Sequence, residues 1–121
     1  MESIVQDKSF KFALRIIKLY RYLISKKKDY VLSKQILRCG TSIGANIEEA
    51  LGAHTKKDFL FKISISYREA RETKYWLRLL KESEVINHNQ FNSISADCEE
   101  LIKMLSSILL TTKENLIKEK D

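Results

Sequence analysis

The chain has 121 residues, no proline, three glycines confined to positions 40–52, and a net charge of +6. That length has room for one real core, and the scarcity of chain breakers excludes a many-turned β fold in favour of long helices. No apolar run approaches the roughly 20 residues of a membrane span, and the polar start MESIVQDKS lacks a signal-peptide pattern. The expectation is therefore one cytoplasmic domain over residues 1–121, with Cys39 and Cys98 as free core thiols.

The first helix is expected over about residues 7–27. Its apolar residues (Phe10, Phe12, Ala13, Leu14, Ile16, Ile17, Leu19, Tyr20, Leu23, Ile24) cover an arc of roughly 220° at 100° per residue. A helix of one bundle usually needs a stripe nearer roughly 100–140°, so the surplus argues for a contact between subunits. Lys8, Lys11, Arg15, Lys18, Arg21, Lys26, Lys27 and Lys28 are eight bases uninterrupted by an acid, leaving 14 bases against 16 acids elsewhere. The net charge thus arises wholly between residues 8 and 28. Lys8, Lys11, Arg15 and Lys18 fall within about 80° of one another, opposite the apolar arc.

The second helix is expected over 30–52, stopping near Gly52. Gln35, Arg38, Ser42, Asn46 and Glu49 share an arc of roughly 80°, beside the apolar Leu32, Ile36, Cys39, Ile43, Ile47 and Ala50. This polar row reads either as a solvated face or as satisfied interhelical hydrogen bonds that set helix register. Gly40 and Gly44 form a GxxxG in mid-helix, where each costs about 1 kcal/mol relative to alanine. Close approach of another helix would compensate that cost; a local helix break is the other reading.

Thr55 with Asp58 resembles a capping box opening a third helix over about 56–83. Phe59, Ile63, Ala70, Leu77 and Leu80 mark its core face, while Lys57, Lys62, Arg68, Arg71 and Arg78 are expected to be solvated. Asn87 with Gln90 repeats the capping signature before a fourth helix over about 88–118. There Phe91, Ile94, Cys98, Leu101, Leu105, Ile108 and Thr112 keep a 3-4 spacing. Short connections make successive helices antiparallel, so the expected class is all-α: an up-down-up-down four-helix bundle.

Enzymatic chemistry finds little support. A bundle di-iron site needs Glu-x-x-His on two helices plus two further glutamates, and His54 and His88 lie near helix ends without that spacing. Glu69 and Glu72 share a face, but Arg68 and Glu72 make a ready i,i+4 ion pair. No nucleophile stands with a base, and no phosphate loop or Cys-x-x-Cys occurs. The expectation is a non-enzyme with no metal or cofactor. The basic first helix is the electrostatic footprint of phosphate-backbone binding. Without a reading helix or exposed stacking aromatics, sequence-specific readout is not expected. The rival is an adaptor for another, unknown protein, its basic face serving solubility.

The row Gln35-x-x-Arg38-x-x-x-Ser42-Ile43-x-x-Asn46-Ile47-x-Glu49 is followed by Lys56-Lys57-Asp58-Phe59. Then comes Arg68-Glu69-Ala70-x-Glu72-Thr73-x-x-Trp76-Leu77-x-Leu79-Leu80. Together these resemble the four-helix-bundle proteins of the 23S ribosomal RNA intervening-sequence family, over nearly the whole chain. The resemblance implies an up-down bundle assembled as a ring-shaped homopentamer. It extends to the accessory variability proteins of diversity-generating retroelements, basic pentamers associated with nucleic acid and a reverse transcriptase. The family carries an RNA link but no settled molecular activity. Cys39-Gly40, Gly44 and Ala50 depart from the family pattern, which bears on helix bend and subunit spacing. The implied partners are copies of the chain itself and RNA or DNA, with Gln35, Arg38, Ser42, Asn46 and Glu49 as the shared assembly motif.

Overall fold

In the computed structural model, which describes residues 3–120, four helices follow one another. They are α1 (Ile4–Ser25), α2 (Leu32–Leu51), α3 (Lys56–Glu82) and α4 (His88–Lys120). No strand occurs among the described residues. α1 packs on α2 and α4, and α3 packs on α2 and α4, while the diagonal pairs stay apart. This is the antiparallel four-helix bundle expected from the spacing of apolar residues, and α1 and α4 are the adjacent pair that touch least.

The helix ends follow from local chemistry. α1 begins three residues earlier than its apolar pattern suggests, because the Ser3 hydroxyl accepts from the Gln6 N–H at 3.2 Å and caps the helix. The extension brings Asp7 into the first turn, where an acid favours the helix dipole. After α1, Lys28 adopts a left-handed φ of 57° and the Asp29 N–H returns to the Leu23 carbonyl at 2.9 Å. The Asp29 carboxylate then accepts from the N–H groups of Val31, Leu32 and Ser33, so it caps α2. Thr55 caps α3 through the Asp58 N–H at 3.0 Å. Asn87 and Gln90 exchange side-chain and backbone bonds of 2.8 Å ahead of the last helix, a reciprocal capping box.

The core is one continuous cluster. Phe12, Ile16 and Leu23 from α1 meet Ile36, Ile43 and Ile47 from α2, Ile63, Leu77 and Leu80 from α3, and Leu101 and Leu105 from α4. At 1.5 Å per residue the 20 residues of α2 span about 30 Å and the 33 of α4 about 50 Å. α4 therefore continues beyond the start of α1, held to the start of α3 by the Lys56–Glu119 ion pair and exposing Leu110 and Ile117.

Candidate functional site

The basic row of α1 is not one uniform surface. Lys8 reaches Glu100 of α4 at 3.0 Å, and Arg15 reaches Asp97 at 2.7 Å while also donating to the Ser93 carbonyl and hydroxyl. Lys11 pairs with Asp7 one turn earlier on its own helix, at 3.0 Å. Those three bases of the expected binding stripe are thus engaged, two of them across the seam where α1 and α4 touch least. Being solvent-exposed, each such pair adds at most about 1 kcal/mol.

The remaining bases of the stripe, Lys18, Arg21, Lys26, Lys27 and Lys28, have no ion pair among the described residues and are exposed. They gather at the end of the bundle where α1 finishes, α2 begins, α3 finishes and α4 begins. Residues 18–34 and 78–90, which meet there, hold eight bases and three acids. Five of the six net positive charges therefore sit at one end of the molecule. That end also carries Tyr20, Tyr22 and Tyr30, the last of them 53 % exposed on the Asp29-capped turn. An exposed aromatic beside free lysines is a feature that the helical wheel of α1 does not reveal, because Tyr30 lies in the connection.

The polar row of α2 divides in the same way. Arg38 donates to Glu69 at 3.1 Å and also pairs with Glu72, whose Oε2 accepts from the Trp76 indole at 2.9 Å. Glu72 is therefore held by Arg38 across the α2–α3 seam, not by Arg68 as the i,i+4 spacing suggests; Arg68 is exposed. Glu49 meets Lys62 of α3 at 2.9 Å. Asn46 donates to the Ser42 carbonyl at 2.8 Å and to its hydroxyl at 3.1 Å, a bond within α2 and not between helices. Gln35 is half-buried beside them. The interhelical hydrogen bond actually buried at this seam runs from the Ser66 hydroxyl to the Ile43 carbonyl at 2.8 Å. Sequence spacing could not single it out, since Ser66 looks like any small helix residue.

The glycine pair resolves as close packing, and the helix runs through it unbroken. A methyl group on Gly40 would lie 2.7–2.9 Å from the buried Ile16 side chain, so α1 occupies that space. At Gly44 it would lie 3.3 Å from the Ser9 hydroxyl and 3.5 Å from the Ser9 carbonyl, where the two backbones draw together. The two cysteines are buried and unlinked. Burial pushes the Cys39 thiol up to about 11 and the Cys98 thiol up to about 12, so neither is a nucleophile at neutral pH. No group of three or more His, Cys, Asp or Glu residues that could hold a metal ion occurs among the described residues. No helix among them is long and apolar enough to cross a membrane.

Sequence comparison bears on the same residues. The profile of the 23S rRNA-intervening sequence proteins matches residues 1–107, a span that includes the basic helix, the polar row and the whole α2–α3 seam. The chain belongs to that family. A crystal structure of a protein of unknown function from the S23 ribosomal protein family of Bacteroides thetaiotaomicron superposes with a TM-score of 0.87 at 51 % identity. It covers 88 % of this chain and 98 % of that one. No curated protein matches. The family match ends at residue 107, so the far part of α4, with Leu110 and Ile117, lies outside it.

Proposed function

We propose that this family member is a non-enzymatic, cytoplasmic homo-oligomer that binds nucleic acid, RNA by preference, without reading its sequence. The observation that carries this reading is the free positive charge concentrated at one end of the bundle, Lys18, Arg21 and Lys26–Lys28, beside the exposed Tyr30. Lys8 and Arg15 are assigned instead to holding α1 on α4, and Lys11 is paired with Asp7 within α1. The family description, which ties its members to insertions in ribosomal RNA, supports RNA as the polyanion. Assembly is supported by the outward apolar stripe of α1, with Phe10 63 % and Leu14 49 % exposed. Five copies, as the family resemblance implies, would repeat the basic end around a ring and raise avidity without new contacts.

The test is affinity against salt for a labelled RNA. Changing Lys26, Lys27 and Lys28 together to glutamine is expected to weaken binding and to flatten the log–log salt slope by about 0.7–0.9 for each phosphate that is no longer neutralised. Changing Lys8 and Arg15 to glutamine is expected to leave the slope in place and lower stability instead. Equal effects of the two sets on RNA affinity would refute the assignment.

A protein partner is the second reading. Phe61 and Tyr75 are 58 % and 54 % exposed and lie in line on α3, seven residues either side of Arg68. A pull-down with and without nuclease separates the two: partners released by nuclease treatment belong to the first reading, and partners retained belong to the second.

A further inference from the structure

Between the last two turns of α1 and the first turn of α4 the surface is a groove. Two clefts, of about 600 and 430 Å³, share Tyr22 and Gln90 and so run into one another. Each lies in the range of roughly 300–1,000 Å³ found for small-ligand sites. The groove exists because α1 and α4 make little contact and because the clasps at Lys8 and Arg15 end one turn before Lys18.

Its two walls differ chemically. The α1 wall presents Lys18 and, beyond it, Lys27, neither ion-paired among the described residues. Tyr22 stands between them, one turn after Lys18, half-buried and packed against the core while it lines both clefts. The facing wall presents Asn89 and Gln90, and at the Lys27 end Glu84 together with Lys81, whose ammonium is drawn over the Phe91 ring at 4.7 Å and towards Glu82 at 3.8 Å. Glu84, Asn89 and Gln90 offer acceptors to the amino group of a base, and Lys81 is already engaged by Phe91 and Glu82. The α1 wall therefore holds the unengaged lysines, the other wall holds the groups that meet base edges, and Tyr22 lies between. A duplex offers only phosphates and sugars at its rim, while an unpaired strand offers both of its edges and a free base face.

We infer that this groove holds an unpaired strand of nucleic acid, its phosphates along Lys18 and Lys27 and a base stacked on Tyr22. The inference rests on the nucleic-acid reading above and narrows it from any polyanion to single strands.

The experiment uses fluorescence anisotropy of the full chain with a labelled twelve-nucleotide oligocytidine, whose bases carry an exocyclic amino group, and, separately, a labelled twelve-base-pair RNA duplex of mixed sequence. The native protein is expected to bind the single strand at least about tenfold more tightly. Tyr22→Leu, which keeps an apolar side chain against the core, is expected to lower single-strand affinity about tenfold with duplex affinity unchanged, the loss of one stacked base; Tyr22→Phe is expected to retain it. Lys18→Gln with Lys27→Gln, both exposed, provides a variant that does not depend on core packing and is expected to lose the single-strand preference. Equal affinity of the native protein for strand and duplex overturns the inference while leaving the nucleic-acid reading standing, as does a Tyr22→Leu protein, folded by circular dichroism, with native single-strand affinity. Binding of neither probe overturns both.

Discussion

At Gly40 the space for a methyl group is already filled by the three outer carbons of Ile16, a β-branched residue with no exposed surface. Ile16 has few rotamers into which it can retreat, so Gly40→Ala forces α1 and α2 apart. Overpacking of this kind costs about 1–3 kcal/mol, and alanine returns about 1 kcal/mol in helix propensity. Urea unfolding is expected to show a net loss near 1 kcal/mol. Gly44→Ala meets only the Ser9 hydroxyl at 3.3 Å, with the backbone at 3.5 Å or more. There the propensity gain offsets a small adjustment, and stability is expected to stay within about 0.5 kcal/mol of the native value. Equal gains of about 1 kcal/mol at both positions would show that the pair responds through helix propensity and not through packing.

The thiols give a pH dependence with a definite sign. Burial raises Cys39 from 9.0 to about 11 and Cys98 from 9.0 to about 12. Above pH 9 the unfolded chain releases these protons while the folded chain keeps them, so the unfolded state gains relative to the native one. Stability is expected to fall as pH rises from about 9 toward 11 under reducing conditions. A Cys39→Ala, Cys98→Ala chain should show a flatter urea-midpoint profile over that interval. A slope unchanged by the double substitution would remove the thiols as its cause.

Among the elements, α1 presents three faces. One face enters the core through Phe12, Ile16 and Leu23, and another clasps α4 through Lys8 and Arg15. The third, with the exposed Phe10 and Leu14 and the half-buried Ile17, is only partly covered by the bundle. The 220° apolar arc is the signature of that third face: a single bundle shields only part of it, and the rest is left at the surface. Light scattering at micromolar concentration is expected to show an oligomer for the native chain and a smaller species for Phe10→Glu with Leu14→Glu. A native chain that scatters as a 14.2 kDa monomer would remove the assembly claim. The fold of α1 was legible because repeated apolar spacing outweighs any single residue. Its first turn was less so, since the Ser3 cap is one hydrogen bond and leaves no periodic mark.

For the whole molecule, the distribution of charge matters more than its total. Residues 18–34 and 78–90 are far apart in sequence, yet the antiparallel order of the helices brings them to one end and adds their charges. The acids that engage Lys8 and Arg15 come from residues 97 and 100, more than eighty positions away. The basic stripe was therefore readable as composition, but which of its members are free was not. The same holds for Arg38, whose partners Glu69 and Glu72 lie on the next helix. It also holds for Tyr22, whose position in a groove depends on α4 standing away from α1.

The helices, their antiparallel order and the family were legible in the sequence, because periodicity, capping residues and the polar motif are local patterns that short stretches of chain express on their own. The packing of the helices was needed to show that the glycine pair admits Ile16 and Ser9 of the same subunit, that two of the eight bases between residues 8 and 28 clasp α4, and that the free charge and the groove at Tyr22 share one end. Ion pairing and cleft formation depend on which helix faces which across long separations in the chain, and no local pattern encodes that.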